Sequence, residues 1–91
     1  ILSAKYQREQ NISKQFSAYD NSHNRLKDYV KSNLKDPESF KHEGTQYWDK
    51  GDHLIILMKY RAKNSFGGYV VGNVKAKSSI DGTELEILSS D

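Results

Sequence analysis

The chain has 91 residues, with 14 Lys and Arg against 12 Asp and Glu for a formal net charge of +2; it is 35% hydrophobic and 29% charged. That length supports one modest core rather than two, and the slight basic excess falls short of the clustered charge of an obligate nucleic-acid binder. The absence of cysteine removes disulfides and thiolate metal sites, and there is no run of about eighteen apolar residues to span a membrane.

The chain opens at Ile1-Leu2 rather than at a methionine, so any targeting or anchoring segment is expected outside these residues. Residues 1–20 contain neither Gly nor Pro. Ile12, Phe16 and Tyr19 recur at i, i+4 and i+7, and Leu2 and Tyr6 extend the row less regularly, which predicts a helix. Two roles are open to it: packing on the domain formed by residues 21–91, or serving as a stem to something N-terminal.

Asp20-Asn21-Ser22 is a helix-initiation cluster, because short side-chain oxygens accept the orphan amides of a first turn. Leu26, Tyr29, Val30, Asn33 and Leu34 then keep one helical face, with Arg25, Lys27, Lys31 and Lys35 on the other. This second helix is predicted to run from Ser22 to Lys35. Pro37 stops it by disfavouring helical geometry at Asp36 and lacking an amide proton.

From Phe40 the period changes to that of strands. Phe40 to Asp49 alternates imperfectly, and the adjacent Tyr47 and Trp48 force one aromatic away from the core. Lys50-Gly51-Asp52 reads as a turn. After it, Leu54, Ile56, Met58, Tyr60 and Ala62 form one row, and Ile55, Leu57, Lys59, Arg61 and Lys63 the other. The second row is apolar in its first half and cationic in its second, so the strand is predicted to be central and covered on both sides at one end. Asn64-Ser65-Phe66-Gly67-Gly68 turns the chain into the Val-rich run Tyr69–Lys77, giving a β-hairpin. Asp81-Gly82 is a two-residue turn signal, and Thr83–Leu88 a last short strand with Leu85 and Ile87 on one side and Glu84 and Glu86 on the other. The expected fold is α+β, with N-terminal helices packed on a four-stranded antiparallel meander in sequential order.

Three clusters, Asp36-Pro37-Glu38-Ser39-Phe40, Tyr60-Arg61-Ala62-Lys63-Asn64-Ser65-Phe66-Gly67-Gly68 and Ile80-Asp81-Gly82, together resemble a family of small bacterial domains with no assigned activity. The resemblance spans roughly residues 22–88. It implies a bacterial or phage source and a cell-envelope setting, since members of that family often follow a membrane segment, a lipoprotein signal or a small zinc-binding segment. It implies no activity. In shape alone the predicted fold is also similar to small envelope-assembly lipoproteins and secreted inhibitor domains, an analogy that does not carry function.

The polar cluster that stands out is Arg61, Lys63 and Asn64 beside Phe66, Gly67 and Gly68. As a ligand or partner site it would offer a guanidinium fork and amides bared by glycine to a carboxylate or other anion. As architecture it would be a turn in which Asn64 bonds the backbone, Phe66 covers the sheet end and Arg61 pairs with a carboxylate. A phosphate loop is excluded by the glycine spacing and the lack of a following helix. The RNA-recognition signature fails because Gly68 stands where a second stacking aromatic is needed. Lys59, Arg61, Lys63, Lys75 and Lys77 could line a cationic strip, more simply a solvated sheet face than a nucleic-acid surface. The Asp36-Pro37-x-Ser39 segment reads as a structural turn.

His23, His42 and His53 lack metal-ligand spacing and read as surface or helix-start residues. No serine sits in a nucleophile elbow, and the turn carboxylates read as solvated. No catalytic, cofactor or metal set is expected. The expectation is a non-enzymatic binding or interaction module, with a small anion-binding domain centred on Arg61 and the Gly67-Gly68 turn as the alternative. Its partner is expected to be a protein or a second copy, unless the N-terminal helix folds back through Ile12, Phe16 and Tyr19 to cover the second face of the sheet.

Overall fold

A computed structural model describes residues 4–90. Helices α1 (Ala4–Ser13) and α2 (Asn24–Ser32) precede strands β1 (Lys41–Asp49), β2 (His53–Lys63), β3 (Tyr69–Ser79) and β4 (Leu85–Ser90), which form one antiparallel sheet in the order β1-β2-β3-β4. This is an α+β domain. Among the described residues no helix is long and apolar enough to cross a membrane.

The row that faces inward on β2 is Leu54, Ile56 and Met58, each fully buried, continued by the buried Ala62. Val74 and Ala76 of β3 lie beside it in register, and Leu26 and Val30 of α2 close over it. Ile12 from the end of α1 joins this same cluster, and Phe16 packs against it. Both helices therefore lie on one face of the sheet. The fold-back of Ile12 and Phe16 onto the second face does not occur.

The single helical row predicted through Tyr19 is also broken. After Ser13 the amides of Gln15 and Phe16 tighten to i→i+3 bonds, and the loop closes through Ser17 and the positive φ of Asn21. Phe16 keeps its place because its backbone bridges to His23, while Tyr19 is 97% exposed. Leu2, the outer end of that row, lies outside the described residues.

The first turn of α2 is capped by a residue other than the expected ones. Asp20 Oδ1 accepts from the amide and hydroxyl of Ser22, 3.0 and 2.7 Å away, and it is Nδ1 of His23 that accepts the Leu26 amide at 3.2 Å. His23 is 1% exposed, so of its two expected readings the helix-start one holds and the surface one gives way to a buried cap. The helix also stops before Lys35: Asn33 turns its amide back to the Lys31 and Val30 carbonyls. A 3₁₀ turn, Pro37–Ser39, follows. The buried Ser39 hydroxyl donates to the Asp36 carbonyl at 2.6 Å and accepts the Lys63 amide at 2.9 Å, which fixes the helix-to-sheet connection to the end of β2.

Tyr47 and Trp48 separate as their adjacency requires. Tyr47 stacks on Phe16 with centroids 5.0 Å apart, and Trp48, paired with Ile55, belongs to the opposite row. The imperfect alternation of β1 has a cause in a bulge between His42 and Gly44. At the far end of the sheet, Ser79 and Glu84 close the β3–β4 turn, which holds four residues rather than two; Asp81 Oδ1 gathers the Thr83 amide, the Thr83 hydroxyl and the Ser79 hydroxyl. Buried Gln15 pins the inter-helix loop to this turn by donating to the Ser79 and Ile80 carbonyls.

Candidate functional site

With both helices on one side, the residues of the alternate rows form an open face. The register brings Trp48, Gln46, Gly44 and Lys41 of β1 beside Ile55, Leu57, Lys59 and Arg61 of β2. Lys77, Lys75, Asn73, Val71 and Tyr69 of β3 lie on the other flank, opposite Ile55 through Lys63. Alternation along a strand puts all of these on one side of the sheet.

The face has two ends of different character. At one end, Trp48, Ile55 and Leu57 line an open hollow of about 290 Å³ whose rim carries Lys50 and Lys75. Ile55 and Leu57 are only half-buried, and Trp48 is 44% exposed. At the other end stand Lys41, Lys59, Arg61 and Lys63. The Lys41 ammonium lies 4.9 Å and the Lys63 ammonium 5.8 Å from the centre of the Tyr69 ring, close enough for the ring's electron-rich face to attract both. Arg61 Nε is 3.4 Å from Oε1 of Glu43, the residue set out by the β1 bulge. Among the described residues, neither Lys59 nor Lys75 lies in ion-pair reach of a carboxylate.

The residues singled out in the sequence divide between this face and the turn above it. Arg61 and Lys63 stand on the open face, whereas Asn64, Phe66, Gly67 and Gly68 form the β2–β3 turn. Gly67 supplies the positive φ, at 85°. Three of the turn amides are already engaged: Asn64 Oδ1 accepts from Phe66 at 2.9 Å and Gly68 at 3.1 Å, and the Asn64 carbonyl accepts from Gly67 at 3.1 Å. An anion arriving here would have to displace Asn64. Phe66 does not cover the sheet end, since it is 95% exposed.

Sequence reasoning passed over Lys41 and Tyr69 as a pair and Trp48 as a site residue. Lys41 meets Arg61 only because of the bulge register, which the imperfect alternation of β1 signals without fixing its place. Trp48 was legible as one of two adjacent aromatics, but not its direction.

A second depression, an open groove of about 640 Å³, lies at the β3–β4 turn between Arg25, Lys77, Asp52, Glu84 and Glu86. Its charges are mixed. Arg25 already donates to the Gly82 carbonyl at 2.7 Å, and Asp52 is held below the usual carboxylate range by its hydrogen bond from His53. Among the described residues there is no group of three or more His, Asp or Glu placed to hold a metal ion.

No family model, curated protein or solved structure matches this chain.

Proposed function

We propose that this domain is a non-enzymatic interaction module that binds a partner protein through the open face of its sheet. One observation carries the reading. α1 and α2 share a single face, so Ile55 and Leu57 on the central strand β2, with Trp48 beside Ile55, and Val71 and Tyr69 beside Arg61 and Lys63 at the cationic end, have no covering layer within the described chain. Half-exposed apolar and aromatic side chains bordered by cations are the composition of a protein-binding patch. The alternative anion site at Arg61 and the glycine turn draws less support, because Glu43 and Asn64 already occupy the groups it would use. A bacterial, envelope-tethered setting belongs to the proposal and rests on the resemblance carried by residues 36–40, 60–68 and 80–82.

Site-specific photocrosslinking in cells of the source organism tests it. A benzophenone side chain at position 57 or 48 is expected to capture a discrete protein band that the same group at exposed Asn24, on the helical side, does not. Identical capture from both sides, or none from positions 57 and 48, overturns the reading. Sedimentation of the isolated chain should show a monomer; a dimer dissociated by Leu57→Glu would make the partner a second copy.

A further inference from the structure

Resting on that reading of the open face, we infer the chemistry of what binds there: an extended, acidic protein segment with a large apolar side chain at one end and carboxylates at the other. The polarity of the face dictates the polarity of the ligand. Along β2 the central row runs Ile55, Leu57, Lys59, Arg61, Lys63, apolar first and cationic after. Flanking residues repeat the division, with Trp48 beside Ile55 and Lys41 beside Arg61. From the hollow at Leu57 to Lys63 is six residues of strand, about 20 Å, the reach of an extended segment of six to eight residues.

Charge selects among the occupants. Lys41, Lys59, Arg61, Lys63, Lys75 and Lys77 share the face; Glu43 engages Arg61, while Lys77, at the far edge, lies opposite Glu86 and lines a groove with Asp52 and Glu84. Two copies apposed through this face would set cations against cations, which disfavours self-association. A nucleic acid would satisfy the cations, but its bases need aromatic platforms along the strand. Here Tyr69 is flanked by two lysine ammoniums, and Trp48 lies on β1 at the opposite end of the sheet. The Trp48–Ile55–Leu57 hollow, rimmed by Lys50 and Lys75, instead suits an aliphatic or aromatic side chain followed by carboxylates.

The probes are fluorescein-labelled ten-residue peptides with Leu-Leu-Phe at one end and four Glu at the other, made in both orders. Controls replace Glu by Gln, or the apolar trio by Ser, and a twenty-nucleotide oligothymidine is titrated in parallel. Binding is followed by anisotropy and by amide shifts of the ¹⁵N-labelled chain. One order is expected to bind, shifting Trp48, Leu57, Arg61 and Tyr69, at least tenfold more tightly than either peptide control and than oligothymidine. Leu57→Ser and the double variant Lys59→Gln/Arg61→Gln, both at the open face, should each weaken it tenfold or more, the second variant also flattening the salt dependence. Equal binding of the Gln peptide or the Ser peptide overturns the inference, as do shifts confined to the helical face. Tighter oligothymidine binding overturns it in favour of a nucleic-acid surface. If neither peptide order binds while position 57 still crosslinks a protein in cells, the acidic-partner inference falls and the open-face reading stands.

Discussion

The side-chain carbonyl of Gln15 lies 2.9 Å from Nε2 of His23, both residues sealed between the helices and the sheet. The Leu26 amide donates to Nδ1 of the same ring, so the imidazole proton resides on Nε2 and is donated to Gln15. Gln15 Oε1 also accepts from the buried hydroxyl of Ser78 at 2.8 Å. One neutral histidine thereby caps α2 and ties the inter-helix loop to β3. Burial is the chief cause that pushes its pKa down from 6.5 to about 4, with Arg25 adding to it.

Stability is therefore expected to depend on pH through His23. Its folded pKa is below the unfolded value, so as pH falls the unfolded chain takes up the proton first. The contribution is whole above about pH 6.5 and is lost progressively down to about pH 4. A shift of this size corresponds to about 3 kcal/mol across the window. Urea titrations at pH 7.5, 6, 5 and 4 check it, with His23→Asn, which keeps a capping acceptor but cannot titrate, expected to flatten the slope between pH 6.5 and 4. An equally steep slope in that variant would remove His23 as its source.

Adjacent residues on β2 should differ sharply. Ile56 is fully buried under α2, so Ile56→Ala is expected to cost about 2–5 kcal/mol. Leu57, one position on, stands half-buried on the open face, and Leu57→Ala should cost less than about 1 kcal/mol, in the range of surface changes. Leu34 is only partly buried against the core, so its alanine variant should fall between the two. Denaturant midpoints rank all three, and equal losses at 56 and 57 would contradict the one-sided core.

The two turn glycines are not equivalent. Gly67 has φ 85°, whereas Gly68 does not need a positive φ, and a Cβ there would meet the Asn64 side chain only at ordinary contact, 3.8 Å. Gly67→Ala should destabilise by more than about 1 kcal/mol and Gly68→Ala by little. Thermal melts of the pair decide it, and the reverse order would mean a differently built turn.

Gly72 should tolerate no side chain at all. It pairs with Tyr60, whose ring lies over it and stacks on Phe40 with centroids 5.6 Å apart. A Cβ at position 72 would collide with the Tyr60 ring, and displacing the stacked pair is expected to cost about 1–3 kcal/mol, as other overpacked cores do. Combining Gly72→Ala with Tyr60→Val should recover part of that loss if the ring is the obstacle, and recover none if it is not.

Local chemistry sufficed for the elements themselves. The period-two rows of residues 54–63, a positive φ at one of the two glycines of the β2–β3 turn, and a helical face of Leu26 and Val30 each act within a few residues, so they are legible in order along the chain, although α2 ends at Asn33 and not at the stop expected from Pro37. The meander follows from short connections between strands. Sidedness does not. Leu54-Ile56-Met58 and Ile55-Leu57 are chemically interchangeable rows until a covering layer takes one of them, and that choice depends on how α2 crosses the sheet and on α1 joining the same side through Ile12. His23 titrates as a surface histidine would until Gln15, Ser78 and the Leu26 amide enclose it from separate elements. Lys41 meets Arg61, and Glu43 reaches its guanidinium, only through a bulge that shifts the pairing register of β1. Each of these depends on contacts between residues distant in sequence, whose free energy no single segment carries, so only the assembled tertiary structure decides them.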